Sequence, residues 1–204
     1  MKRALISVYE KTGIVDFARE LNKLGIEIIA TSGTLNILRE SGVKIVKHVS
    51  TVTNFPEILG GGVKTEHPKL IGGILALREE KEQMSELERM GIKPIDVVVC
   101  NLYPLEKVIN MGVDLKTALK YIDIGGPNMI RAAAKNFKNV VVIVNPDRYY
   151  QVLKELKKGG VSIETRSALA IEAFKETARY DLLIYKFFEK KISTNLSTYG
   201  NNCK

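Results

Sequence analysis

The chain has few of the residues that bind metals or form disulfides: in 204 residues there are two cysteines and two histidines. Cys100 lies in an apolar run and Cys203 near the end, without metal-ligand spacing, which predicts one buried and one exposed thiol. With only His48 and His67 to add, a zinc site is not expected. No apolar run is long enough to cross a bilayer, and a strand pattern begins within a few residues of Met1. Neither a membrane partner nor a signal peptide is expected, and the location implied is cytoplasmic. A Walker-type lysine loop and a GxGxxG turn are both missing, which argues against nucleoside triphosphates and dinucleotides. Repeats, low-complexity tracts and interdomain linkers are missing too, so one domain over residues 1–192 with a polar, frayed tail at 193–204 is expected.

What is present is an ordinary globular composition, 45% hydrophobic and 26% charged, with a net charge of +8. The cations are scattered among glutamates along helices instead of forming a block. A phosphorylated small molecule fits that field better than nucleic acid, although charge alone does not choose between them.

The hydrophobic pattern opens β-α-β-α: a strand at 3–8, a helix at 14–24 closed by Gly25, a strand at 27–30, and a helix from Thr31-Ser32-Gly33-Thr34 to about Gly42. In a parallel sheet, ligands sit at the carboxyl ends of the strands, so Lys11 and the 31–34 loop should face one crevice. Hydroxyls and N–H groups at a helix start, with a lysine beside them, suit a phosphate; the alternative is that the threonines only cap the helix. A short strand at 44–49 precedes a Thr-, Gly- and Pro-rich stretch at 50–73 with no sustained periodicity, which reads as a long loop. Within it, Gly60-Gly61-Gly62-Val63-Lys64-Thr65-Glu66-His67-Pro68-Lys69 gathers cations, a hydroxyl and an imidazole; it could be a site or a solvated loop.

A charged helix is expected at 79–90 and a buried strand at 95–100, which ends at Asn101-Leu102-Tyr103-Pro104. There Asn101 and Tyr103 could hydrogen-bond a ligand, or Tyr103 could be packed with its hydroxyl outward. A strand at 140–144 and helices at 146–158 and 162–191 follow, the last starting with Ser162 as cap and offering Leu169, Phe174, Leu182 and Phe188 for packing.

The densest chemistry is at 121–138, YIDIGGPNMIRAAAKNFK. Pro127 suits the first position of a helix, and Gly125-Gly126 ahead of it lets backbone approach a ligand. The free N–H groups and dipole at such a turn attract an anion, either a ligand phosphate or the Asp123 carboxylate. Asn128, Arg131 and Lys135 share one face of this helix, a polar stripe rising from the turn. The plain alternative is a glycine turn followed by a packed alanine helix.

Taken in order, ISVYEKTG, ATSGT, VKTEHPK, GGIL, CNLYP, DIGGP and RAAAKN resemble the inosine monophosphate (IMP) cyclohydrolase domain of the bifunctional purine-biosynthesis enzymes, over residues 2–188. The resemblance implies an α/β fold like methylglyoxal synthase, a parallel sheet flanked by helices with a C-terminal helical extension. It implies closure of a formamido-imidazole-carboxamide ribotide to IMP with loss of water, without metal or other cofactor, in a homodimer. Lys11, Thr31, Ser32, Gly33, Thr34, Val63, Lys64 and Thr65 would grip phosphate and ribose. Cys100, Asn101, Tyr103, Asp123, Ile124, Gly125, Gly126 and Lys135 would surround the base. Lys135 would transfer a proton to or from the closing ring, aided by Lys64 and Tyr103, and Asp123 would hold or deprotonate the carboxamide nitrogen. The chain departs from the family at Tyr9-Glu10, where Ser-Asp is usual, at Gly62 for Arg, and at Glu66 for Leu. Weaker phosphate binding, or compensation by Lys69, is implied. Relatives continue into a formyltransferase; a chain acting alone would need a separate formylating enzyme. The competing readings are a nucleotide-sensing regulatory domain of the same fold and a methylglyoxal-synthase-like lyase.

Overall fold

The computed structural model describes residues 2–199, with side chains through residue 192. Five strands, β1 (Arg3–Val8), β2 (Glu27–Ala30), β3 (Val46–His48), β4 (Val97–Asn101) and β5 (Val141–Ile143), form one parallel sheet ordered β3-β2-β1-β4-β5. Among the described residues, ten α-helices connect and cover them. These are α1 (Ile14–Lys23), α2 (Ser32–Glu40), α3 (Val49–Thr53), α4 (Pro68–Leu75), α5 (Lys81–Arg89), α6 (Leu105–Asn110), α7 (Leu115–Leu119), α8 (Gly125–Lys135), α9 (Tyr149–Leu156) and α10 (Ile163–Tyr199). Strands buried on both faces account for the unbroken Val and Ile runs that made them legible.

The chain leaves β1 toward β2 on one side, and β4 pairs with β1 on the other. Connections that diverge in this way open a crevice at the carboxyl ends of β1 and β4, where Ser7 lies beside Cys100 and Val8 beside Asn101. The strand topology thus fixes where a ligand can enter.

Three expectations change. The stretch at 50–73 is not one long loop, since it holds α3, a 3-10 turn at Leu59–Gly61 and the whole first part of α4. His67 starts α4 by accepting the Lys69 N–H at 3.1 Å, a capping role usually filled by Ser, Thr, Asp or Asn, so the imidazole gave no recognisable signal. Helices α6 and α7, at 105–119, are too short to show a helical period and were not foreseen. Finally, the helix expected at 162–191 extends to Tyr199, and Phe174, Leu182 and Phe188 are not its packing face. Leu169, Ala173, Thr177, Tyr180 and Phe187 are buried, while Phe174 and Leu182 are exposed. Ser162 does accept the Thr165 N–H at 3.2 Å, as its capping position requires. Cys203 and the rest of residues 200–204 lie outside the described residues.

Asn136 joins two layers. Buried at the end of α8, its amide donates to the Ile74 carbonyl at 2.7 Å and to the Ala76 carbonyl at 3.0 Å, tying α8 to the end of α4. Asn136→Ala takes the side-chain donor from the Ile74 carbonyl, while the Ala76 carbonyl keeps Arg78, so unfolding in urea should show a loss of about 1–3 kcal/mol with an unchanged m-value.

Candidate active site

The crevice has a volume of about 550 Å³ and is walled by the end of β1, the start of α2, the 59–66 loop, Asn101, Tyr103 and the 119–126 segment. Of the residues singled out in the sequence, Lys11, Thr31, Gly33, Thr34, Lys64, Thr65, Asn101, Tyr103, Asp123, Ile124, Gly125 and Gly126 line it. Ser32, Val63, Cys100 and Lys135 do not. An adjoining hollow of about 650 Å³ shares Tyr9 and Asn101, but its wall mixes Lys175 and Arg179 with Glu172 and Glu176 and favours no sign of charge.

The glycine pair lies inside α8, not ahead of it, and Pro127 occupies the third helical position. The reason is Asp123, whose Oδ1 accepts the Gly126 N–H at 2.9 Å and so starts the helix two residues earlier. Of the two anions considered for this turn, the carboxylate is the one in place, which also complements the helix dipole. Its own N–H donates to the Tyr180 hydroxyl at 2.8 Å, which anchors the loop to α10. The glycines are demanded by space. A Cβ on Gly125 would lie 2.4 Å from Glu66 Oε1 and 2.5 Å from Thr65 Oγ1, and one on Gly126 would lie 2.4 Å from Asp123 Oδ2.

Helix α2 begins with no side-chain cap: Thr31 turns its hydroxyl to Ser7 Oγ at 3.1 Å. The first N–H groups of α2 therefore point at the crevice beside Gly33, while Lys11 supplies an ammonium that donates to the Val8 carbonyl. Burial pushes the Lys11 pKa below the ordinary lysine value, and an anion beside it would favour its charged form. Gly61 and Lys64 close the same side, with Lys64 Nζ donating to the Gly61 carbonyl at 2.9 Å.

Several expected ligand contacts build the site instead. Asn101 Oδ1 accepts the N–H groups of Tyr9 and Glu10 at 2.7 and 2.9 Å, and its amide donates to the Glu10 carbonyl at 3.1 Å. Its hydrogen bonds hold the first loop. Thr34 Oγ1 accepts the Val8 N–H at 3.1 Å, which ties the end of β1 to α2. Ser32 faces away, bonded to Glu57 Oε1 at 2.8 Å and to His48 Nε2 at 2.9 Å. This Ser-His-Glu group is no hydrolase triad. His48 Nδ1 accepts the Ser50 N–H, so Nε2 bears the proton and cannot act as base toward Ser32.

Cys100 is 1% exposed on β4 with its thiol 3.9 Å from the Gly126 carbonyl, and burial first, then the Asp123 charge, pushes its pKa far up. It packs α8 against the sheet and does not touch the crevice. Val63 makes the backbone bridge to Ile58 that closes the glycine loop. Lys135 is exposed at the last position of α8, and a helix of that length places it about 16 Å from Gly125. The polar stripe with Asn128 and Arg131 exists, but it leads away from the crevice.

Lys120 and Tyr121 went unnoticed in the sequence, and Tyr9 and Glu66 were noted only as departures from the family pattern. Glu66 accepts the N–H groups of Lys64 and Thr65 at 3.0 Å each, and its carboxylate fills the space left by Gly125. Tyr9, Tyr103 and Tyr121 form a row, with centroids 4.5 Å apart edge-on and then 5.1 Å apart stacked. Burial, then Tyr9 and Tyr121, hold the Tyr103 hydroxyl above the ordinary phenol pKa, so it is a proton donor at neutral pH. Lys120 adds a cation. Lys120 stands in none of the motifs read from the sequence. Among the described residues, no cluster of three or more His, Cys, Asp or Glu could hold a metal, and no helix is long and apolar enough to cross a membrane.

Comparison with known proteins gives the setting. The model of the MGS-like domain matches residues 13–128, and that of the AICARFT/IMPCHase bienzyme matches residues 133–203. The bifunctional purine biosynthesis protein PurH of Persephonella marina is 52% identical over 191 residues, 93% of this chain and 37% of the relative. Those of a Thermoanaerobacter species and Aquifex aeolicus are 53% identical over 192 residues and 50% over 198, covering 93% and 97% of this chain and 38% of each relative. The chain thus spans little more than a third of the curated relatives it matches. The crystal structure of ForH superposes with a TM-score of 0.79 at 36% identity, covering 92% of this chain and 98% of ForH.

Two results would check the site as drawn. Gly125→Ala should displace Glu66 or Thr65 and cost about 1–3 kcal/mol in thermal unfolding, whereas Gly33→Ala, whose added Cβ meets nothing within 4 Å, should unfold like the parent. In a Cys203→Ser background, iodoacetamide at pH 8 should label Cys100 only after denaturation; rapid labelling of the native chain would contradict its packing role.

Proposed function

The chain belongs to the MGS-like domain family, and on that premise we propose that it is an IMP cyclohydrolase, closing 5-formamidoimidazole-4-carboxamide ribotide to IMP. The observation that carries this reading is the arrangement of the crevice: an open helix start with Lys11 at one end, and Asp123, Lys64 and Tyr103 at the other. Similarity to bifunctional purine biosynthesis proteins over nearly the whole chain supports it.

In this reading the ribotide phosphate meets the first N–H groups of α2 and the Lys11 ammonium. The imidazole lies toward the tyrosine row. Closure joins the carboxamide nitrogen to the formyl carbon, and one proton from that nitrogen, one from the formamide nitrogen and the former formyl oxygen leave as water. Asp123 has one oxygen committed to Gly126 and a second, Oδ2, free to hold or take the carboxamide proton. Tyr103 and Lys64 are the donors for the formyl oxygen as it becomes hydroxyl and departs. Positioning both ends of one molecule supplies much of the rate, which suits a site built from fixed backbone and glycine contacts.

Lys135 enters this chemistry only if a second copy of the chain presents it at the crevice, which accords with the homodimer expected from the family resemblance. The location proposed is the cytoplasm, and the formylated substrate would come from a formyltransferase, on the same or a separate chain.

The deciding assay follows IMP appearance from the formylated ribotide in metal-free buffer. Acceleration is expected, and Asp123→Asn, whose amide oxygen can still accept the Gly126 N–H, should lower kcat by about 10²–10⁴-fold with little change in KM. Lys135→Ala at parent rate would keep all the chemistry within one chain. Loss of rate, restored by mixing Lys135→Ala with Asp123→Asn, would assign Lys135 to the neighbouring copy. Tight IMP binding without turnover would overturn the enzyme reading in favour of a nucleotide sensor.

A further inference from the structure

A second hollow, of about 180 Å³, lies between the start of β1 and helices α3 and α4 and shares no lining residue with the crevice. Four of its eight lining residues are cations, Arg3, Lys47, Lys69 and Lys93, and none is an acid; Thr51 adds a hydroxyl.

Arg3 is the unusual member. It is 9% exposed, yet among the described residues only its Nε–H is engaged, by Glu27 Oε2 at 2.5 Å. A guanidinium carries five N–H donors, so four remain. Because no sealed side-chain nitrogen lacks a partner among the described residues, those donors open on the hollow. Glu27 cannot neutralise the group, since it also receives Lys47 Nζ at 2.6 Å and must balance two cations. Asp96 meets Arg3 through the backbone N–H at 2.8 Å. Lys69 and Lys93 have no carboxylate partner among the described residues. A guanidinium with most of its donors facing a hollow that three lysines also line offers an oxyanion both a fork and a positive field.

We propose that this hollow is a second anion site, separate from the crevice, that takes a phosphate or diphosphate group on the Arg3 fork with Lys69 and Lys93 closing over it. Its size admits such a group but not a base and ribose, so a nucleotide could enter only by its phosphate tail. The inference stands whether or not the crevice is a cyclohydrolase site, because the two share no residue.

The test is calorimetric titration of the full chain with inorganic pyrophosphate, with and without saturating IMP. Binding should survive IMP, and Lys69→Ala/Lys93→Ala should weaken it at least about tenfold, or about 1.4 kcal/mol. Lys154→Ala/Lys158→Ala removes the same charge from α9 and the turn after it and should change affinity less than about twofold, which separates a built site from the general positive field. Arg3→Lys keeps the charge but loses the fork and should also weaken binding; if that variant does not fold, the two lysines decide the matter. ADP binding tighter than pyrophosphate would assign a nucleotide tail, and equal or weaker binding the inorganic anion. Pyrophosphate binding that is lost in IMP or in Lys11→Met, or is unchanged in Lys69→Ala/Lys93→Ala, would overturn the proposal.

Discussion

The hydrogen bond from Gly126 N–H to the Asp123 carboxylate is the contact on which the candidate site depends. It starts α8 at Gly125, and so brings bare backbone against Thr65 and Glu66 on one side and Leu102 on the other. Any side chain at either glycine would push apart the 64–66 loop, the end of β4 or Asp123 itself. One carboxylate therefore both completes the helix start and presents its second oxygen to the crevice. The loop carrying it is anchored from behind by the buried Tyr180 on α10, which makes the long C-terminal helix part of the site's foundation although it contributes no lining residue.

Around that contact the polar side chains divide by what their hydrogen bonds are already committed to. Asn101, Thr34 and Ser32 are the kinds of residue that bind ligands, but Asn101 holds the first loop, Thr34 the end of β1, and Ser32 the Glu57 segment. The groups with capacity to spare are the first N–H groups of α2, the free oxygen of Asp123 and the ammonium groups of Lys11 and Lys64, each of which donates one hydrogen bond and keeps two protons. Charge is thus concentrated on a few groups, while neutral polar side chains fix their positions. The substitution at Glu66 fits this scheme: an acid in the 64–66 loop satisfies two backbone N–H groups there and places a negative charge beside the start of α8.

The strands β2, β4 and β5 were legible because they are buried on both faces and written largely in Val and Ile, and the ligand-bearing loops because glycine, proline and hydroxyl residues cluster where strands end. Helix α10 misled for the opposite reason. It carries two apolar stripes, and the one with the larger residues, including Phe174 and Leu182, faces outward, while the inward face uses Ala173, Thr177 and Tyr180. Size and periodicity alone could not rank them. Cys100 is buried as the sequence indicated, but the capping role of His67 was missed because a residue type states what chemistry is available, and only its neighbours state whether that chemistry is already engaged.

By itself the sequence determined the parallel α/β architecture, the loops that meet at the carboxyl ends of its strands and most of the residues that line the crevice. These follow from local rules, since burial period, turn residues and helix starts are set by neighbours in the chain. Tertiary structure alone decided which of those residues are free to act. Asp123 is fixed as the cap of α8, Asn101 and Thr34 are bonded to backbone far away in the sequence, Lys135 is carried one helix length from the crevice, and Arg3 is buried with most of its donors unengaged. Each of those outcomes depends on contacts between segments brought together by the sheet, and no local pattern encodes a partner that distant.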